Sequence, residues 1–414
     1  MHVVVLGAGI AGVTSAYSLA LRGYEVTVID RANAVAAGAS HANGGQLSYS
    51  FTDALARPSF LPGIPGLLLG RDPATRVRLL TRPWLPGWGL RFLRQCTHKQ
   101  ARNNTIAVLE LAMRSAHRMA MISEQTGVSF AHKKDGKLVL LPEGADLEAS
   151  RQTISLKKRH GCTTELLSMA DAIALEPAIE AMAGRYAAAL YSAQDETGDA
   201  RVFAEGLAGW LQRNKGMNLR LGETVNGLLR DGARIVGVQT SKGEMTADAV
   251  VVCLGARSPD ILRDVGISVP VYPVRGYSLS VPRGSAAPRI SITDLKRRIL
   301  FSPLADRMRV SGFADFVGFS DRDDAARIAL LRKMASETAP LAALYDHPQS
   351  SPWAGSRPMT PDGRPITGAS DLAGLFLNCG HGMLGWTLAA ATADDLAEVM
   401  AQSVNSCKPP AKSN

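Results

Sequence analysis

His2-Val3-Val4-Val5-Leu6-Gly7-Ala8-Gly9-Ile10-Ala11-Gly12 opens the chain, and Glu25-Val26-Thr27-Val28-Ile29-Asp30 follows one short helical run later. Residues 2–6 read as a buried strand, residues 10–22 have helical spacing stopped by Gly23, and residues 25–29 form a second strand. Gly7, Gly9 and Gly12 therefore spell G-x-G-x-x-G at a junction of strand and helix, where the motif has a mechanism. Gly7 permits the tight turn, Gly9 lets the backbone approach a pyrophosphate, and Gly12 lets helix pack on sheet. The helix start, with Ile10 and Ala11, offers free N–H groups and partial positive charge to phosphates. Asp30, 18 residues past Gly12 and followed by Arg31, stands where a carboxylate takes ribose hydroxyls. The pattern predicts dinucleotide binding. A carboxylate there repels a 2′-phosphate, which argues against NADP and leaves NAD and FAD open.

At 414 residues, 46% of them hydrophobic, the chain has material for two or three domains. No apolar run approaches the roughly 20 residues of a spanning helix. The start runs directly into a strand, without the charged, apolar and small-residue series of a secretory leader, so a cytoplasmic location is expected. Five cysteines (Cys96, Cys162, Cys253, Cys379, Cys407) are odd in number and scattered, and the eight histidines show no ligand spacing. Neither a disulfide framework nor a metal site is expected. The net charge of +9 is uneven: residues 57–102 hold eight arginines and Lys99 against Asp72 alone, a net +8. Leu67, Leu68, Leu69, Trp84, Trp88 and Phe92 lie in the same stretch, a mixture suited to peripheral contact with the inner face of the cell membrane. The plainer alternative is a loop-rich region of solvated arginines. No nucleic-acid partner is expected, because the charge lacks interleaved stacking aromatics.

Further along, residues 50–95 read as irregular and residues 106–125 as a helix, with Leu109, Met113, His117 and Met121 recurring every four residues. Strands are expected at 136–141 and 187–191, with helices at 147–159 and 168–175 between them. Asp199 is placed to cap a helix through residue 210. Strands follow at 225–229, 234–240 and 247–254, then antiparallel runs at 271–281 and 299–311. A last helix is expected over 384–402, and a polar tail with Pro409 and Pro410 after it.

Beyond the opening motif, several segments carry a resemblance. They are Gly38-Ala39-Ser40-His41-Ala42-Asn43-Gly44-Gly45-Gln46, Asp195-Glu196-Thr197-Gly198-Asp199, Val271 through Leu279, Arg357-Pro358-Met359-Thr360-Pro361-Asp362-Gly363, and Leu375 through Trp386. Together they resemble the D-amino acid oxidase superfamily, and most closely its D-amino acid dehydrogenase branch, over nearly the whole chain. The resemblance implies an α/β fold: a Rossmann-like domain binding FAD noncovalently, with an inserted, mainly antiparallel α+β substrate domain. The FAD domain is expected at 1–50, 198–270 and 352–405, the substrate domain at 51–197 and 271–351, and the tail at 406–414. The implied reaction moves a hydride from the Cα of a D-amino or D-imino acid to flavin N5. The imine then hydrolyses to a 2-oxo acid and ammonia, or stays as a cyclic imine, and a quinone-type acceptor takes the electrons. If the amine arrives neutral no side-chain base is obligatory, so the site must supply position and charge.

Arg357 is the expected carboxylate anchor, because a guanidinium fork matches a carboxylate bidentately; the packing alternative is an arginine that orders the following turn. The Gly380-His381-Gly382-Met383-Leu384-Gly385 loop opens the last helix, whose positive end could face the flavin pyrimidine edge. Ser40, Asn43, Gly44 and Gln46 resemble family positions along the flavin and its phosphates, and Val225 and Gly255 complete the expected FAD contacts. His381 is expected over the flavin, in either a positioning or a catalytic role. His41 departs from the branch pattern: a packed histidine is the first reading and a covalent flavin link the second. The 293–298 segment lacks the tyrosine that relatives place near the substrate carboxylate, leaving Tyr277 or Tyr49 to substitute. A glycine, sarcosine or secondary-amine oxidase using oxygen is the near alternative, and an RNA-acting flavoprotein the distant one.

Overall fold

The structure is a computed structural model that describes residues 1–78 and 84–406. The phosphate-turn strand His2–Leu6 sits inside a six-stranded sheet, ordered Ile366–Ala369, Leu375–Cys379, Ala249–Val252, His2–Leu6, Glu25–Asp30, Asn218–Leu221. All neighbours are parallel except the Ile366–Ala369 edge, which pairs antiparallel. Such strands are apolar because both faces are covered. Val3, Val4, Val5 and Leu6 have no exposed surface, and each side chain contributes roughly 1.5–3 kcal/mol by burial. Helices Ile10–Leu21, Ala200–Lys215 and Gly385–Ser406 supply much of that cover. Thr14 Oγ1 in the first donates to Ala389 O in the last at 3.2 Å, fixing their contact.

The second body is an eight-stranded sheet, ordered Ser351–Met359, Tyr272–Pro282, Arg307–Asp315, Ile299–Leu304, Ser291–Asp294, Lys137–Pro142, Tyr186–Ser192, Glu165–Leu167. Its pairs are antiparallel apart from Ser291–Asp294 with Lys137–Pro142. A meander of Val225–Asp231, Arg234–Thr240 and Gly243–Thr246 stands separately.

Several sequence expectations shift. Residues 50–95 are not wholly irregular, since Leu85–Gln95 is a helix whose Leu85, Trp88 and Phe92 pack on Tyr272, Val274 and Met359. The helix expected from residue 106 begins at His98, capped by Thr97, which accepts from Gln100 N. The run 299–311 divides into two strands at Ala305, where φ is +52°. The strands Asn218–Leu221, Ser291–Asp294 and Ile366–Ala369 were not anticipated. Residue 352, expected to open a segment of the FAD domain, falls inside a strand of the large sheet. The last helix continues to Ser406, past its expected end at 402, and the rest of the expected tail lies outside the described residues. No helix among the described residues is long and apolar enough to cross a membrane.

Candidate active site

The two sheets meet at a continuous cavity of about 1580 Å³. At one end is the glycine turn. Gly7 has φ +102°, and a Cβ there would lie 2.7 Å from Cys253 O; one on Gly12 would lie 1.8 Å from Gly7 O. Any side chain at either position collides with backbone. Ser40 Oγ accepts from Ile10 N at 3.0 Å, docking the 38–46 loop on the helix start. Asp30 accepts from Ala8 N at 2.7 Å and Ala32 N at 2.9 Å, so it clasps the turn while facing the cavity. Arg31, Val225 and Gly255 line the same end, as do Gly9, Ile10 and Ala11.

The other end is the loop before the Gly385–Ser406 helix. Gly380 (φ +73°) and Gly382 (φ +58°) make its turn, and Gly382 N donates to Pro358 O. Gly382, Met383, Leu384 and Gly385 reach the cavity. Gly380 and Gly12, both expected to touch cofactor, stand behind the wall instead: Gly380 packs on Thr360, and Gly12 on the Gly7 carbonyl. His381 lines the cavity but is 4% exposed. Its Nε2 lies 2.9 Å from Thr392 Oγ1, whose own hydrogen goes to Ala389 O, so the imidazole donates Nε2–H. Burial takes its pKa down to about 4, leaving it neutral at pH 7.

Between the ends, Asn43, Gly44 and Gln46 line one side. Asn43 Oδ1 accepts from Gly45 N, and the Gln46 amide donates to Ser291 Oγ at 2.5 Å. Opposite, Arg357 lies over Gly276, where a Cβ would meet its guanidinium carbon at 2.4 Å. Its hydrogen bond is Nη1 to Phe313 O at 2.6 Å. Burial pulls its pKa down, partly offset by Asp315 and Tyr277. Tyr277 faces the cavity, but its hydroxyl donates to Asp315 Oδ2 at 2.9 Å, and Asp315 also holds buried Arg327 at 2.8 Å. The tyrosine proton is thus committed, and burial raises its pKa further.

His41 lies outside the cavity wall, its ring stacked 6.3 Å from Trp353 and its Nε2 3.4 Å from Arg201 Nη1, as the packing reading expects. Tyr49 is also turned away, with its hydroxyl 3.4 Å from Glu196 Oε2. Two residues that the sequence reading did not single out, Lys137 and Lys157, line the cavity and are 2% and 5% exposed. The signal was present: Lys137, Val139 and Leu141 share one face of an otherwise apolar strand. Among the described residues no cluster of His, Cys, Asp or Glu could hold a metal ion.

A cavity running from a phosphate turn on a parallel sheet to a helix start defines a dinucleotide-binding fold, with backbone donors for phosphates at one end and a positive helix start at the other. The family pattern described as "DAO: FAD dependent oxidoreductase" matches residues 2–399, and the chain belongs to that family of FAD-dependent oxidoreductases. It is 38% identical over 411 residues to D-amino acid dehydrogenase 2 of Ralstonia nicotianae, covering 97% of both chains. It is 40% identical over 406 residues to a D-amino acid dehydrogenase of Cereibacter sphaeroides, covering 97% of this chain and 92% of that one. Among solved structures, L-proline dehydrogenase from P. horikoshii aligns with TM-score 0.74 at 20% identity, over 97% of this chain and 93% of that one. Glycine oxidase from Geobacillus kaustophilus aligns with TM-score 0.70 at 22% identity, over 99% and 95%. At those identities the likeness concerns the fold.

Proposed function

We propose that this protein is a D-amino acid dehydrogenase that oxidises the Cα–N bond of a D-amino or D-imino acid and passes the electrons to a quinone-type acceptor. The observation that carries the reading is Arg357, half-buried at the cavity wall with Phe313 O as its hydrogen-bond acceptor, a guanidinium whose fork matches a carboxylate. The names of the relatives at 38–40% identity support it. FAD, when bound, supplies the two-electron acceptor. Arg357 orients the substrate carboxylate, and Tyr277, held by Asp315, stiffens the strand beside it. His381, neutral and pinned to Thr392, shapes the wall without adding charge. The glycine turn, Ser40, Asn43, Gly44, Gln46 and the 382–385 loop hold the cofactor. We place the FAD unit at 1–50, 198–270 and from 360 on and the substrate unit at 51–197 and 271–359, with the helix His98–Thr126 of the second packed into the core of the first.

The acceptor side fits a membrane surface. Leu61, Leu68, Leu69, Trp84, Leu90 and Leu93 are all exposed in one stretch, with Arg57, Arg71, Arg91 and Arg94 exposed among them. The expected contact is narrower than the sequence implied, because Leu67, Trp88 and Phe92 are buried.

The test records flavin absorbance anaerobically while D-alanine, D-proline, cis-4-hydroxy-D-proline, their L-enantiomers, glycine and sarcosine are added in turn. D-substrates bleach the flavin and colour returns slowly in air. Arg357→Met keeps its FAD and needs on the order of 10- to 150-fold more substrate. Bleaching by glycine or sarcosine with peroxide release would point to an oxidase. No bleaching by any compound removes the assignment.

A further inference from the structure

The cavity has a lobe to which this reading gives no work. Its wall is the inner face of strands Lys137–Pro142 and Tyr186–Ser192, with Val139, Leu141, Ile154 and Leu190 lining it. Lys137 stands in that apolar wall. Its Nζ donates to Ser48 Oγ at 2.9 Å and sits 4.4 Å from the centre of the Phe51 ring, so its protein acceptor is an uncharged hydroxyl. Lys157 nearby shows the contrast: its ammonium is satisfied by Asp53 Oδ2 at 2.5 Å and Ser50 O at 2.9 Å. Asp195, whose charge also acts on Lys137, gives one oxygen to Ser50 N at 2.8 Å, and its other oxygen has no hydrogen bond. A buried cation without a hydrogen-bonded counter-ion is costly, and an arriving anion removes that cost.

We propose that Lys137 makes this lobe a binding site for a second carboxylate, so that the cavity takes D-amino acids with an anionic side chain. The proposal rests on reading the cavity as a D-amino acid site, with Arg357 at the α-carboxylate and Lys137 at the distal one. Burial, and after it the like charge of Lys157, outweigh the opposite charges of Asp195 and Asp53 and bring the Lys137 pKa down to about 8, so the ammonium is mostly charged at pH 7 and loses its charge as the pH rises through that value. The reduced flavin is a second source of negative charge, since Ser48 N also bonds Thr387 Oγ1 in the first turn of the last helix. The experiment separates the two.

Holoenzyme is titrated with succinate, glutarate and adipate, and with butyrate, valerate and hexanoate as matched monocarboxylates, reading the shift in flavin absorbance. At least one diacid binds about tenfold tighter than its monoacid at pH 7. That gap closes in Lys137→Met, persists in Lys137→Arg, and narrows in the parent protein above pH 8. Equal binding of the two series in the parent overturns the proposal. So does a Lys137→Met variant that weakens sulfite addition to the flavin yet keeps the diacid preference, because the lysine then serves the flavin. Should Lys137→Met fail to fold, the parent series across pH and the arginine variant still decide. These acids are not oxidised, so failure of D-amino acids to bleach the flavin would remove the functional reading without touching this result.

Discussion

At pH 7 the His381 imidazole is uncharged, and its sign follows from the direction of its shift. In the unfolded chain its pKa is near 6.5; in the fold it is about 4. Below pH 6.5 the unfolded state gains a proton that the folded state refuses, so stability complete above 6.5 is lost as the pH falls toward 4. The loss amounts to about 3 kcal/mol. His381→Asn, whose amide can still donate to Thr392, should remove this part of the acid sensitivity. Urea midpoints at pH 7 and 4.5 check it, and equally steep falls in both proteins would contradict it. At this scale, residues whose roles are imposed by backbone geometry were legible. Gly7 makes the tight turn expected of it, and Asp30 and Ser40 lie beside that turn, because its backbone geometry allows few alternatives. Asp315 was not legible, and Lys137 only as a cation on the face of an apolar strand: their partners lie on another strand, a helix and loops, and no spacing in the chain records that Tyr277 and Arg327 converge on one carboxylate.

Elements were read well where local signals agreed and poorly where packing overrode them. Leu85–Gln95 contains Pro86, Gly87 and Gly89, poor helix formers, yet burial of Leu85, Trp88 and Phe92 outweighs the propensity cost, and Pro is tolerated in the first turn. The start of His98–Thr126 was missed because its first residues are polar, although Thr97 and Gln100 carry a capping signature. The outer face of Leu85–Gln95 presents Leu90 and Leu93, 52% and 43% exposed, beside Arg91 and Arg94. Holoenzyme should sediment with phosphatidylglycerol vesicles at low salt, and a Leu90→Ser, Leu93→Ser pair should bind them on the order of tenfold more weakly with unchanged circular dichroism and FAD content. Failure of the parent to sediment, or equal sedimentation of the two, would remove the membrane contact.

For the whole molecule, the α/β class was legible from the first thirty residues, and the mainly antiparallel second sheet from the resemblance. The strand order was not, because it depends on pairings hundreds of residues apart. Since the cavity draws its walls from both sheets, FAD acts as a tie between them. Flavin-free protein should melt at a lower temperature than holoenzyme, and added FAD at 100 times its dissociation constant should restore about 2.7 kcal/mol. An unchanged midpoint would mean that FAD does not bind the folded protein in preference to the unfolded chain.

The interleaving of the six-stranded sheet has a consequence for biosynthesis. His2–Leu6 acquires its Ala249–Val252 neighbour only after about 240 further residues have been made, and that neighbour acquires Leu375–Cys379 only about 120 residues later still. At about 5–20 residues per second, this apolar strand waits on the order of tens of seconds beside the ribosome with an open edge. Such a nascent chain is a natural client for holding chaperones, and its yield should depend on them far more than the stability of the finished protein does.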